Sequence, residues 1–219
     1  MEREPRGPAR QTRRPANATT AFAPVTFAFV RIIAGEFKGR TLIAPKSDTT
    51  RPITDRAKQS IFDVLSPLIE GSIVFDCFCG TGSMGLECLS RGASRAYFFD
   101  ADRSALEGLR KNIDAVRIKD RSKVIAGDIF RLIRSVPDKA GLIFLDPPYR
   151  FLVERPEPLS VLSATLAQTH ATPDTTLIFR HDTKDQLVLP EWTRYDVRTY
   201  GSMTIELMKM AEQPMMNAD

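Results

Sequence analysis

Asp146-Pro147-Pro148-Tyr149 sets a carboxylate, two rigid prolines and an aromatic ring side by side. The stretch follows Gly141-Leu142-Ile143-Phe144-Leu145, an apolar run with the character of a fully buried strand. In an open α/β sheet, ligands bind outside the carboxyl ends of the strands. Proline fixes φ and lacks an N–H, so the chain stops pairing onward and its carbonyls are left for a ligand. An acceptor-only carboxylate, a fixed carbonyl and a stacking face suit a planar base that bears an exocyclic amine.

A second stretch points to a cofactor beside that base. Asp76-Cys77-Phe78-Cys79-Gly80-Thr81-Gly82-Ser83-Met84-Gly85 closes a strand and opens a helix. Glycines let the backbone turn tightly and approach a ligand, and a helix N-terminus offers free N–H groups to an anion. Gly80, Gly82 and Gly85 fit the dinucleotide spacing G-x-G-x-x-G, with Asp100 about where the ribose-binding acid belongs. Asp76 opposes a dinucleotide, because a carboxylate beside the turn would repel a pyrophosphate. S-adenosylmethionine carries an ammonium, a sulfonium and one carboxylate but no phosphate. An acid near the first two and a helix N-terminus near the third would suit it.

Phe98-Phe99-Asp100-Ala101-Asp102 ends the next strand. Asp100 is placed to accept both ribose hydroxyls, and Asp102 to cap the following helix. In Gly127-Asp128-Ile129, Asp128 could accept an adenine amino hydrogen while Ile129 packs on the ring. Asp128 is also a natural N-cap, and the two roles are compatible. Asp76, Asp100, Asp128 and Asp146 thus stand at four successive strand ends and should line one crevice. The candidate cofactor set is Asp76, Phe78, Gly80, Thr81, Gly82, Asp100, Ala101, Asp128 and Ile129. The candidate catalytic set is Asp146, Pro147, Pro148 and Tyr149.

The elements that must position these residues alternate strand and helix. Strands are expected at 72–77, 95–100, 122–126, 141–146 and 175–180, and helices at 84–91, 103–116, 129–136 and 159–168. That alternation implies a parallel sheet with helices on both faces. Strands over 192–199 and 202–210, joined by Tyr200-Gly201, add an antiparallel hairpin at the edge. The expected fold is therefore α/β and Rossmann-like, a mostly parallel seven-stranded sheet with an antiparallel C-terminal hairpin. Upstream, residues 30–34 and 40–44 form a hairpin around Gly35-Glu36-Phe37-Lys38-Gly39. A helix should follow Thr54 or Asp55 as N-cap and end at Pro67 and Gly71. Ala57, Ile61, Val64, Leu65 and Leu68 would face inward, leaving Arg56, Lys58 and Gln59 toward solvent. Arg150, Phe151 and a proline-rich loop to Pro158 would form a lid. His181 is a tempting base but fits a structural role, and His170 is expected at the surface.

At 219 residues, 42% hydrophobic and 26% charged, the chain has the composition of a soluble domain with appendages. No run reaches the roughly 18 apolar residues of a membrane span. Cys77, Cys79 and Cys88 form no disulfide framework, which argues for the cytoplasm, and no clustered histidine makes them a metal site. The net charge of +4 is uneven: residues 1–30 carry +3 and 31–60 carry +4, leaving the rest at −3. A basic N-terminal third suggests an anionic partner on that side. Residues 1–29 are expected to be disordered or not part of the working protein, with translation beginning near Val30. Their Phe-rich patch resembles a weak signal peptide interrupted by Pro24. Residues 30–71 form an extension, 72–210 the main domain and 211–219 a fraying tail.

Residues 31 to about 210 resemble the bacterial 16S ribosomal RNA guanine-N2 methyltransferases, which have the class I S-adenosylmethionine-dependent fold. The resemblance rests on residues 31–40, Arg51-Pro52-Ile53-Thr54-Asp55-Arg56, the glycine loop and Leu145-Asp146-Pro147-Pro148-Tyr149. The last motif is shared with adenine-N6 DNA methyltransferases and narrows the chemistry only to amines on bases. The chain departs from the family's usual residues at Asp100, where Glu is usual, at Cys79, where Ala is frequent, and at Ile53, where Thr is commoner. The resemblance implies methyl transfer from S-adenosylmethionine to the exocyclic amine of a guanine in 16S RNA; a monomer without metal, acting on the RNA or on an assembling 30S subunit, is expected. Lys38, Arg40, Lys46, Arg51, Arg56 and Lys58 become candidates for RNA phosphates.

Rival readings are an adenine-N6 DNA methyltransferase, an NAD-dependent oxidoreductase and a non-enzymatic RNA-binding module. No insertion is large enough for a DNA target-recognition domain, Asp76 disfavours NAD, and the intact Asp146 motif disfavours a vestigial crevice.

Overall fold

The computed structural model describes residues 30–44 and 53–212. Expectations for residues 1–29, for Lys46 and Arg51, and for 213–219 lie outside them. Among the described residues, seven strands form one sheet in the order β5-β4-β3-β6-β7-β9-β8. These are β3 (Ile73–Cys77), β4 (Arg95–Asp100), β5 (Ser122–Ala126), β6 (Leu142–Leu145), β7 (Thr176–Asp182), β8 (Trp192–Tyr200) and β9 (Met203–Met210). Strands β3 to β7 pair in parallel; β9 runs antiparallel to both β7 and β8. The order reverses between β3 and β6, so the crevice above that pair is the sheet's switch point.

Strand residues alternate between two cores. Val74, Phe98, Phe144 and Ile178 pack with α1 (Asp55–Ile69), α2 (Ser83–Ser90) and α3 (Arg103–Val116) on one face. Phe75, Phe99, Leu145 and Phe179 pack on the other face with α4 (Ile129–Leu132), α5 (Arg150–Glu154) and α6 (Pro156–Thr165). Burial on both faces explains the continuous apolar runs of the parallel strands.

Helix α3 has the bounds that its periodicity predicts, with Asp102 as N-cap accepting from the Ser104 and Ala105 N–H groups. Thr54 caps α1 by accepting from the Ala57 N–H. Helix α1 continues through Pro67 to Ile69 rather than ending at the proline, because buried Leu65 and Ile69 hold its last turns on the sheet. The N-terminal hairpin is shorter than expected: β1 (Val30–Arg31) pairs with β2 (Thr41–Leu42), and the bonding ends with Ile32 against Gly39 and Arg40. Residues 33 and 34 instead give their N–H groups to Glu87. The expected loop to Pro158 is helical, since Pro156 occupies the first turn of α6, where a missing N–H costs nothing. No described helix is long and apolar enough to cross a membrane.

The inward face of α1 differs from the sequence expectation. Ala57, Lys58, Ile61, Phe62, Leu65 and Ile69 are buried, while Leu68 is exposed. Lys58 is 2% exposed and pairs with Glu87, so it is no contact for RNA phosphate. His170 is buried against Phe75, its Nδ1 3.1 Å from the Asp138 carbonyl oxygen, not at the surface.

Candidate active site

A cavity of about 750 Å³ opens over the carboxyl ends of β3, β4, β5 and β6. Its floor begins where β3 gives way to the glycine loop. Phe78 is held at φ +63, a conformation that side chains rarely adopt and that marks strain at a ligand-facing turn. Gly80 follows at φ +54, and a Cβ there would meet nothing within 4 Å. Its backbone therefore borders open space that a ligand can fill.

Asp100 ends β4 and accepts from the Gly80 N–H at 2.7 Å and the Asp102 N–H at 2.8 Å, one on each oxygen. Each oxygen keeps capacity for a hydroxyl donor. Burial raises its pKa, against the pull of those N–H groups. Ala101, Asp128 and Ile129 continue the wall. Asp128 caps α4 by accepting from the Phe130 N–H at 3.1 Å, so the capping role is present and the residue still borders the cavity.

Asp76 lies beneath this floor, 2% exposed, accepting from the Gly85 N–H at 2.8 Å. Burial pushes its pKa up to about 8; the nearby carboxylates of Asp146 and Asp100 push the same way. Thr81, Gly82 and Pro147 are likewise buried behind the lining. Asn112 of α3 braces the loop: its amide donates to the Thr81 carbonyl at 3.0 Å and accepts from the Ile43 N–H at 2.8 Å. Asn112 had no local sequence signal, because both partners are distant in the chain.

Asp146, Pro148 and Tyr149 close the far side of the cavity. The Pro148 carbonyl accepts from Phe151 as α5 begins. Among the described residues, no backbone N–H pairs with the Pro147 carbonyl. Arg180 of β7 donates from Nε to Asp146 Oδ1 at 2.6 Å. Burial raises the Asp146 pKa, and the Arg180 charge opposes that rise. In the sequence, His181 draws attention as a base, while its neighbour Arg180 carries no local signal of its own. His181 sits on the opposite face of β7, stacked on Phe179. Strand alternation was the signal that separates them: Arg180 shares the face of Ile178, His181 that of Phe179.

Helix α5 adds an aromatic wall. Phe78 meets Phe130 and Phe151 edge-on, with ring centroids 6.0 and 5.9 Å apart. The Arg155 guanidinium lies 4.6 Å from the Phe130 ring centre and 5.2 Å from that of Phe151. Of the proposed RNA contacts, Lys38, Arg40 and Arg56 are exposed and Lys58 is buried. The three cysteines are buried among apolar side chains, which pushes their thiol pKa values up.

This sheet order, with a loop-bounded crevice at its switch point, is the class I methyltransferase fold. The family model described as conserved hypothetical protein 95 matches residues 30–209, and the chain belongs to that family. The Haemophilus influenzae ribosomal RNA small subunit methyltransferase D is 33% identical over 184 residues, 81% of this chain and 92% of that protein. The Escherichia coli protein of the same name is 35% identical over 121 residues, which span 55% of this chain and 61% of that protein. Escherichia coli yhhF, described as a methyltransferase, has a solved structure that aligns with a TM-score of 0.73 at 26% identity, covering 84% of this chain and 99% of that one.

Proposed function

We propose that this protein transfers a methyl group from S-adenosylmethionine to the exocyclic N2 amine of a guanine in 16S ribosomal RNA, within an assembling small subunit. The observation that carries the reading is Asp146, fixed at a strand end beside Tyr149 and sharing one cavity with Asp100 and Gly80. Relatives named as small-subunit ribosomal RNA methyltransferases support the substrate class.

The crevice suits that cofactor. Gly80 opens onto free space, Asp100 keeps acceptor capacity on both oxygens, and Ile129 offers an apolar face. Asp76, reluctant to ionise where it lies, would be relieved by a cation above it. Asp100 would hold the ribose, Asp128 and Ile129 the adenine, and the glycine loop the amino-acid end. When bound, S-adenosylmethionine supplies a methyl group already activated on a sulfonium.

This chain's own residues then act by position and electrostatics. A guanine N2 lone pair is delocalised into the ring and is a poor nucleophile. Asp146 Oδ2 would accept an amine hydrogen and hold the amine in place, and Pro147, buried behind the lining, would fix the turn that presents Asp146. Tyr149 would stack on the base, which must leave its RNA stack to reach the cavity. The surplus proton passes to Asp146 or to water. Lys38, Arg40 and Arg56, on the basic N-terminal extension, would meet RNA phosphates.

Tritium transfer from labelled S-adenosylmethionine to 16S RNA, naked and in 30S particles, tests the substrate. Incorporation into the RNA, greater in particles, is expected. Label only on DNA would favour the adenine-N6 alternative, which the Asp-Pro-Pro-Tyr motif serves equally well.

A further inference from the structure

We infer that Arg180 is a positioning residue of this site, holding the Asp146 carboxylate in place and in charge for the incoming amine. The inference rests on the methyl-transfer reading above. Arg180 is the third residue from the end of β7, which lies next to β6 in the sheet. Asp146 follows β6 directly. The two strands pair Leu145 with Phe179, so the next residues, Asp146 and Arg180, fall side by side on one face. The sheet register itself therefore delivers a guanidinium to the carboxylate, with no loop required.

The contact is short and sheltered. Nε of Arg180 lies 2.6 Å from Oδ1 of Asp146, with side chains 12% and 22% exposed. Charge-assisted bonds of this length in a sheltered place are strong and directional. They occupy Oδ1; among the described residues no hydrogen bond is made to Oδ2. One oxygen is thus anchored and the other is left to accept from an amine. A free aspartate would rotate about its side-chain bonds, and each lost orientation would lower the fraction of encounters held correctly.

The charge matters as much as the geometry. Arg180 from β7 is the charged group that bears on this carboxylate, and Tyr149 of the loop and buried Asp76 of β3 bear in turn on Arg180. Burial favours a protonated Asp146, and Arg180 is the cation that opposes it. A protonated Asp146 would keep one acceptor oxygen but lose the strength of an anionic acceptor and its capacity to take the surplus proton.

Arg180→Leu and Arg180→Lys test the assignment by two readouts. The first is the acid midpoint of Asp146, followed by carboxyl-carbon NMR in the ligand-free enzyme. The second is the pH profile of kcat with 30S particles. Binding of S-adenosylhomocysteine and thermal unfolding establish that each variant is folded. Arg180→Leu should raise the Asp146 midpoint by about one pH unit or more, move the acid limb of kcat upward with it and lower kcat on the order of tenfold at neutral pH. KM for the cofactor should stay within about threefold. Arg180→Lys should restore the midpoint but only part of kcat, because an ammonium lacks the planar fork. A midpoint and kcat unmoved in Arg180→Leu would overturn the assignment. Wild-type enzyme inert toward ribosomal RNA would overturn the functional reading instead, and the NMR midpoint would still decide whether Arg180 sets the charge of Asp146.

Discussion

Lys58 of α1 and Glu87 of α2 form an ion pair at 3.0 Å with side chains 2% and 0% exposed. The pair ties α1 to α2. Glu87 also accepts from the Ile33 N–H at 2.8 Å, the Ala34 N–H at 3.0 Å and Arg91 Nε at 2.8 Å. Lys58 reaches the Arg31 carbonyl and Ser83 Oγ, each at 3.1 Å. One buried carboxylate thus fixes the hairpin, α1 and α2 together. Removing it strands a buried lysine and unpairs two half-buried N–H groups. Glu87→Ala should cost about 3–5 kcal/mol of stability in denaturant unfolding. A loss below about 1 kcal/mol would show that the pair is not needed.

Gly35 presses the hairpin onto α2. It sits at φ +82, and a Cβ there would lie 1.9 Å from the Ser90 carbonyl oxygen. The Glu36 N–H donates to that same oxygen at 2.7 Å, so the backbones cannot part without losing the bond. Gly35→Ala should detach the hairpin while leaving the sheet folded. In hydrogen exchange, the Ile33, Ala34 and Phe37 amides should lose protection while those of β3 and β6 keep it. Uniform protection would contradict the close approach.

Asp76 predicts a proton coupled to the cofactor. With its pKa at about 8, the ligand-free site holds a proton at neutral pH. An unfolded aspartate titrates near 3.9, so between about pH 4 and 8 the native state binds more protons than the unfolded one. Stability contributed by this group is therefore greatest at low pH and falls as pH rises, by at most roughly 1.4 kcal/mol per unit. Asp76→Asn should flatten that slope. A cation bound above Asp76 should expel the proton. Calorimetry of S-adenosylhomocysteine binding at pH 7, in buffers of different ionisation enthalpy, should show net proton release in wild type and not in Asp76→Asn. Equal enthalpies across buffers in the wild type would refute the coupling.

The sequence made the strand ends legible because each signal was local. Apolar runs stop at Asp76, Asp100 and Asp146, and Asp102 and Asp128 have cap spacing that the structure bears out. Residue type argues for a solvent-facing Lys58, but helical phase puts it beside Ile61, Phe62 and Leu65, and a partner 29 positions away, Glu87, makes its burial tolerable. Arg180 and Asn112 escaped for the same reason, since sheet register and a loop's approach to α3 supply their partners. His170 found its acceptor in the Asp138 carbonyl across the far core. Long-range polar pairs have no period to announce them.

In the proposed function, Asp146 presents a guanine amine for methylation. The direct measurement is mass-spectrometric identification of the methylated nucleoside from 30S particles treated with wild type and with Asp146→Ala. N2-methylguanosine should form with the wild type, and its rate should fall by about a thousandfold or more in the variant, with cofactor affinity within a few-fold. N6-methyladenosine in place of N2-methylguanosine, or undiminished product from Asp146→Ala, would contradict it.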